Sequence, residues 1–235
     1  MNSIYKMSVD WAKKHSIKVW NQPKTSSTND VAKHSALDCE LFLAGHQFEG
    51  RGREENSWSD SNDGGQLLCS WKFKLTHPPQ HISAPIIGLC LYSALKKTWP
   101  RIQFSIKAPN DIFVGTFKVG GILLESISQG ENHTFIVGIG LNISSHPGAI
   151  ENAGHLAEFE SIEVLTKKWD EFLSQLHLNI RNSCDQVIQQ SLSLEDQTAL
   201  LEALNSYPAY AKSILQVLPE GSIVTPTGTM GWQDL

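Results

Sequence analysis

The chain has 235 residues, with 19 Lys and Arg against 24 Asp and Glu, for a net charge of −5. Apolar side chains make up 40% of it and 17 glycines add to that, which is the composition of a soluble globular domain and excludes intrinsic disorder, a collagen-like rod and a coiled coil. The mild acidity argues against a general nucleic-acid or anionic-membrane binder, since either needs a basic surface.

The residues up to His15 contain no continuous apolar run, so they do not read as a signal peptide. A short strand is expected at 17–20, broken at Pro23. Ser27-Thr28-Asn29-Asp30 then offers N-cap candidates for a helix reaching Ala36. A strand at 40–46 leads into 48–65, a glycine-rich, charged segment with little apolar content that reads as a long functional loop. Its composition predicts mobility without ligand. Alternation of Leu67, Cys69, Trp71, Phe73 and Leu75 predicts a strand over Gln66–Leu75.

Ile86, Leu89, Leu91, Leu95 and Trp99 fit a buried helix ending at Pro100, too short to span a membrane. A strand at 102–106 and a turn at 108–111 follow. Two β-rich runs, 118–126 and 134–144, read as antiparallel neighbours joined by Gln129-Gly130-Glu131-Asn132-His133. Ile162, Leu165, Trp169, Phe172, Leu176 and Ile180 recur at helical spacing over 162–180. Further helices are expected near Leu194–Asn205 and 209–218. The order predicts an α+β fold, a mixed and mostly antiparallel sheet flanked by helices. Cys39, Cys69, Cys90 and Cys184 are scattered, with no CxxC pair and no histidine at zinc-ligand spacing. Reduced thiols in a cytoplasmic protein are the expectation.

Three segments carry chemistry. In Gln47-Phe48-Glu49-Gly50-Arg51-Gly52-Arg53-Glu54-Glu55-Asn56-Ser57-Trp58, Gly50 and Gly52 allow close backbone approach. Arg51 and Arg53 are suited to carboxylate or phosphate oxygens, and Trp58 offers a stacking face. Taken alone, this reads equally well as a solvated charged loop. In Lys107-Ala108-Pro109-Asn110-Asp111-Ile112, followed by Lys118-Val119-Gly120-Gly121, the paired glycines weaken a strand unless something must come close to it. Lys118 alone reads as edge protection. In Val137-Gly138-Ile139-Gly140-Leu141-Asn142-Ile143, glycines alternate on one strand face. Together the small-residue faces and the basic loop describe a floor and a lid for a small anionic ligand.

These segments, with Ser26-Ser27-Thr28-Asn29, resemble the biotin–protein ligases (biotin–[acetyl-CoA-carboxylase] ligases) in order and approximate spacing across roughly residues 20–180. The resemblance implies the catalytic fold that this family shares with class II aminoacyl-tRNA synthetases. It implies residues 1–185 as a catalytic domain, with 186–235 as a helical extension and a short C-terminal stub in place of an SH3-like domain. The implied reaction joins biotin to a lysine of a biotin carboxyl carrier domain by way of biotinyl-5′-AMP. ATP and biotin are the substrates and Mg²⁺ assists. Lipoate or octanoate ligation, and non-catalytic binding of biotin or its adenylate, are the alternatives.

By the same resemblance, Lys118, Arg51 and Arg53 are catalytic. Ser27, Thr28, Asn29, Gln47, Gly50, Arg51, Gly52, Arg53, Lys118, Gly121 and Gly138 bind biotin, with Gly121 and Gly138 leaving room for its bicycle. Arg53, Trp58, Asn110, Lys118 and Asn142 contact the nucleotide, and Asp111 is the nearest carboxylate for Mg²⁺. Three features depart from the family pattern: Glu54-Glu55 follow the arginines, Ala108 stands where the family usually has a Trp, and only Pro219 to Leu235 follow the last expected helix. The residues ahead of the first expected strand are too few for a winged helix, so a repressor role is not expected, and with the acidic balance neither nucleic acid nor membrane is an expected partner. Monomer and homodimer both stay open.

Overall fold

The computed structural model describes residues 3–38, 40–54, 56–148 and 150–235. Cys39 and Glu55 lie outside the described residues. Strand alternation organises the core. Along β3 (Gln66–Leu75), Leu67, Cys69, Trp71 and Leu75 point into one large cluster, while Ser70 faces the other way toward Thr28 and Asn29. β7 (Asn132–Asn142) pairs with β3 and with β6 (Phe117–Gln129), both antiparallel. β1 (Val19–Gln22) and β2 (Leu41–Ala44) extend one edge, and β4 (Phe104–Lys107) and β5 (Asp111–Val114) the other. The seven-stranded sheet runs β1-β2-β3-β7-β6-β5-β4, and its β1–β2 pair is parallel.

One face is covered by α1 (Ile4–Lys14), α3 (Ser83–Thr98) and α5 (Trp169–Ser183), whose apolar stripes bury against the alternate strand residues. The opposite face meets α2 (Thr28–His34), under which Ala32, Phe42 and Ile136 form a small second cluster. That division leaves the glycine face of β6 and β7 accessible beside α2. Among the described residues no helix is long and apolar enough to cross a membrane.

The structure agrees with the expected α+β class and differs in detail. α1 was not anticipated; Ser3 caps it, and Trp11 donates to Ser174 at 2.9 Å, fastening it to α5. The run at 162–180 is two helices, α4 (Ile162–Lys167) and α5. Lys168 adopts φ −97°, ψ 8° between them, and its Nζ reaches the Thr98 carbonyl at 2.8 Å.

The helix expected over 209–218 is not formed. Lys212 takes a positive φ of 62°. The Asn205 amide holds both backbone groups of Ile214, donating at 2.9 Å and accepting at 3.2 Å. The chain then enters β8 (Gln216–Val217), which pairs with β9 (Ile223–Thr225) in a three-stranded sheet completed by β10 (Gly228–Met230). α6 (Leu194–Asn205) packs on β4 and α3. Trp232 is buried, and its indole donates to the Pro109 carbonyl at 2.8 Å. The turn that contains Ala108 is thus braced by an indole from far along the chain.

Candidate functional site

The period of two along β7 puts Gly138, Gly140 and Asn142 on the face opposite the large core. Across the ladder Gly121 pairs with Gly140, and Leu123 pairs with Gly138. The absent side chains make a trough, and the trough is closely filled. A Cβ on Gly138 would lie 2.2 Å from Asn29 Oδ1, and one on Gly140 would lie 2.4 Å from Trp58 Cε2. A Cβ on Gly121 would lie 2.9 Å from Trp58 Cζ3. A side chain at any of the three would thus collide with Trp58 or Asn29, while Gly121 and Gly138 still line the first of the two chambers below.

The arginine loop is a small hairpin. Trp58 N donates to Gly50 O at 2.8 Å, Gly52 N donates to Asn56 O at 2.6 Å, and Arg51 bridges Ser57. Asp60 anchors its base, accepting from Gln47 N at 2.6 Å and pairing with His46 at 2.7 Å. Arg51 clamps this hairpin to the body of the protein. Its Nη2 lies 2.5 Å from Asp30 Oδ1 on α2 and 2.8 Å from Glu125 Oε2 on β6. Glu125 also accepts from Asn29 at 2.9 Å and pairs with Lys33 at 3.3 Å. Burial alone raises the pKa of the Glu125 carboxyl, but Asn29, Arg51 and Lys33 outweigh it and hold the group below its ordinary value.

Two chambers open on this face. The first, about 250 Å³, lies among α2, the hairpin and the glycine trough, and includes Ser27, Thr28, Gln47, Arg51, Gly52 and Arg53 on its walls. Ser27 is the N-cap of α2 yet makes no capping hydrogen bond, whereas Thr28 N is satisfied by Gln47 Oε1 at 2.6 Å. The second, about 560 Å³, is bounded by Lys107, Phe113, Asn142, Tyr207, Pro147 and residues 150–153. That volume falls in the roughly 300–1,000 Å³ range of small-molecule sites.

Ser57, Trp58, Asp111 and Lys118 line both chambers and so form the partition. Lys118 Nζ is 2.7 Å from Asp111 Oδ1 and 5.8 Å from the centre of the Trp58 ring. Trp58 Nε1 is buried without a hydrogen-bond partner, a costly state for an indole that a ligand acceptor would relieve.

The structure gathers most of the sequence-derived candidates. Gly50 lines neither chamber; its carbonyl holds Trp58, and a Cβ there would meet Trp58 O at 2.3 Å. Asn29 lines the first chamber, but its amide is engaged with Ser70 at 2.5 Å, Glu125 at 2.9 Å and Leu123 O at 3.3 Å. Asn142 lines the second, with its amide bonded to Gln66 at 2.6 Å and Gly154 O at 2.9 Å. Asn110 lines the first chamber and bonds the Ile122 carbonyl at 2.9 Å.

Arg53 pairs at 3.1 Å with Glu54, which is largely exposed. Sequence reasoning missed Asp30, Lys33, Ser70 and Glu125 as the frame of the first chamber, and Phe113 and Tyr207 as walls of the second. Glu125 carried a usable signal, because it stands two and four residues beyond Leu123 and Gly121 on one strand face. Tyr207 carried none.

A model of the biotin/lipoate A/B protein ligase family matches residues 18–142. The chain is similar to a chloroplastic biotin–protein ligase 1 of Arabidopsis thaliana, 32% identical over 136 residues, covering 54% of this chain and 36% of that protein. It is also similar to a biotin–[acetyl-CoA-carboxylase] ligase of Paracoccus denitrificans, 36% identical over 137 residues, covering 54% of this chain and 56% of that one. The chain thus spans between about a third and just over half of the length of these relatives.

Among solved structures, a biotin protein ligase from Aquifex aeolicus in complex with biotin and ATP superposes with a TM-score of 0.67 at 21% identity, covering 91% of this chain and 94% of that one. A biotin acetyl coenzyme A carboxylase synthetase from Helicobacter pylori gives a TM-score of 0.55 at 20% identity, covering 91% and 98%. At such identities these likenesses speak for a common fold.

Proposed function

The chain belongs to the biotin/lipoate A/B protein ligase family, and from that premise we propose that it activates biotin with ATP and transfers the biotinyl group to a lysine of a carboxyl-carrier domain. One observation carries this reading: a single ammonium, Lys118, lies on the partition between a chamber suited to a small acid and a larger one suited to a nucleotide. In the first step a biotin carboxylate oxygen attacks the α-phosphorus of ATP and pyrophosphate leaves. In the second, the carrier lysine amine attacks the acyl carbon of the mixed anhydride, losing a proton, and AMP leaves.

Both steps bring anions together, so catalysis rests on positioning and on fixed positive charge. Lys118 stands between carboxylate and α-phosphate and offsets the charge that grows there. Arg53 is paired only with exposed Glu54 among its described partners, and a polyphosphate displaces that partner readily. Arg51, held by Asp30 and Glu125, keeps the hairpin closed over the acid while presenting its remaining donors. Ser27, Thr28 and Gln47 face the polar ring of biotin, with Asn29 as the fixed wall behind them.

Mg²⁺ fits as a companion of the triphosphate. Asp111 is the carboxylate common to both chambers, and one carboxylate plus phosphate oxygens and water is an ordinary Mg²⁺ set. Bound there, the ion would neutralise phosphate charge and aid departure of pyrophosphate. The assignment of 1–185 as the catalytic domain is supported by the lining: of the residues bounding the two chambers, only Tyr207 comes from 186–235.

The test combines the protein with MgATP, biotin and an acetyl-CoA carboxylase carrier domain. Expected are biotin-dependent pyrophosphate exchange and biotin on one carrier lysine, with both lost in Lys118→Ala while the fold survives. Exchange driven by lipoate or octanoate in place of biotin would transfer the reading to those acids. Biotin binding without exchange would reduce the protein to a binder.

A further inference from the structure

Away from both chambers, three potential ligands converge at the ends of the segment that borders the nucleotide side. His146 Nδ1 and His155 Nδ1 are 2.8 Å apart, and Glu158 Oε1 lies 3.3 Å from the latter and 3.8 Å from the former. Among the described residues this is the one group of His, Cys, Asp and Glu side chains with ligand atoms so close together. Spacing had hidden it, because the histidines are nine residues apart on either side of a loop.

We propose that His146, His155 and Glu158 bind a divalent transition-metal ion of the Zn²⁺ type, which ties together the two ends of the loop that pairs with Lys118. The dimensions suit such an ion. Bonds of about 2.0–2.1 Å in tetrahedral geometry place neighbouring ligand atoms roughly 3.3 Å apart. The observed edges of 2.8, 3.3 and 3.8 Å bracket that value, so shifts of about half an ångström complete the site.

Two imidazoles with one carboxylate select Zn²⁺-like ions over Mg²⁺ or Ca²⁺, which prefer all-oxygen shells. The carboxylate is already oriented: Glu158 Oε2 accepts from the backbone N of His155 at 3.2 Å, turning Oε1 toward the rings. The histidine side chains are about four-fifths covered and Glu158 is 37% exposed, so an ion enters from the carboxylate side and a fourth position stays open to water.

The consequence for the proposed reaction rests on the ligase reading; the metal site does not. Lys118 N donates to Asn152 O at 2.7 Å, and Gly154 N donates back to Lys118 O at 2.9 Å. Asn142 secures the same segment through Gly154 O at 2.9 Å. An ion joining residues 146 and 155 closes this segment into a ring and limits the excursions of the strand that carries Lys118.

The test uses the full chain with Co²⁺ as an optical probe, then Zn²⁺ in competition with a chromophoric chelator. One equivalent of Co²⁺ should give the intense visible bands of a tetrahedral site. His155→Ala and His146→Ala should abolish them, Glu158→Gln should weaken affinity at least tenfold, and exposed His77→Ala should leave them unchanged. Unfolding curves in EDTA, unchanged in all variants, verify that the fold is retained. Absence of stoichiometric uptake, or uptake equal in wild type and His155→Ala, would reduce the group to a hydrogen-bonded histidine pair and overturn the proposal. Zn²⁺ should also tighten ATP binding in wild type but not in His155→Ala; metal binding with ATP affinity unmoved overturns the coupling to Lys118. Loss of ligase activity alone moves none of the optical readouts, so the two readings fail separately.

Discussion

Gly138→Ala tests the reasoning behind the glycine trough most directly. The new Cβ would sit 2.2 Å from Asn29 Oδ1, 2.9 Å from its Cγ and 3.0 Å from its Nδ2, so the amide must retreat by roughly 1 Å to reach ordinary contact. It cannot do so freely. Ser70 donates to Oδ1 at 2.5 Å, and Nδ2 is committed to Glu125 at 2.9 Å and to Leu123 O at 3.3 Å. Overpacking of this kind costs about 1–3 kcal/mol, and each strained hydrogen bond adds about 1 kcal/mol, more where a carboxylate accepts. A loss of about 3 kcal/mol is expected in urea unfolding followed by tryptophan fluorescence. In an Asn29→Ala background the clash is gone, and Gly138→Ala should then cost under about 1 kcal/mol, a coupling of about 2 kcal/mol. Equal cost in both backgrounds would refute the contact as the cause.

Glu54→Gln frees Arg53, so the KM for ATP should fall a few-fold at low salt with biotin affinity unchanged; an unchanged KM would remove Arg53 from the phosphate side. Glu125 has a folded pKa below its unfolded value of about 4.3, so the stability it supplies is present above that pH and is lost as pH falls through the folded pKa. The urea midpoint should therefore drop more steeply below about pH 4.3 in wild type than in Glu125→Gln, and parallel curves would contradict the network drawn around it. Burial pushes the Cys90 thiol up to about 12 and Cys184 up to about 11, so neither should react with iodoacetamide in the native protein at neutral pH. Peptide mapping that finds Cys90 labelled while the fold is intact would refute burial as the barrier to its reaction.

How much could be read beforehand depended on how local the determining physics is. The alternation in Gln66–Leu75 and the glycine pairs of β6 and β7 are local patterns, and the sheet face they define formed where alternation put it. The run at 162–180 kept its apolar spacing but broke at Lys168, because the Lys168–Thr98 contact and the aromatic packing of Trp169 on Trp99 lie outside any local window. The segment 209–218 failed for a similar reason: Asn205, reaching both backbone groups of Ile214, offers an alternative to helical hydrogen bonds.

By itself, the sequence determined the α+β class, through periods of two and three to four along the chain, and its motif segments carried the resemblance to the family. It also nominated candidate residues whose chemistry suits an anion. Only the tertiary structure decided which of them stand free and which are already engaged. Asn29, Asn142 and Arg51 bond protein partners, and the space above Gly140 belongs to Trp58. Lys118 lies on the partition of two chambers. His146, His155 and Glu158 meet across a loop that no ligand spacing would reveal. The physical reason is the same in each case: a hydrogen bond or an ion pair is fixed by distance in space, and folding brings together groups far apart in the sequence, such as Asn29 and Glu125 or Trp11 and Ser174.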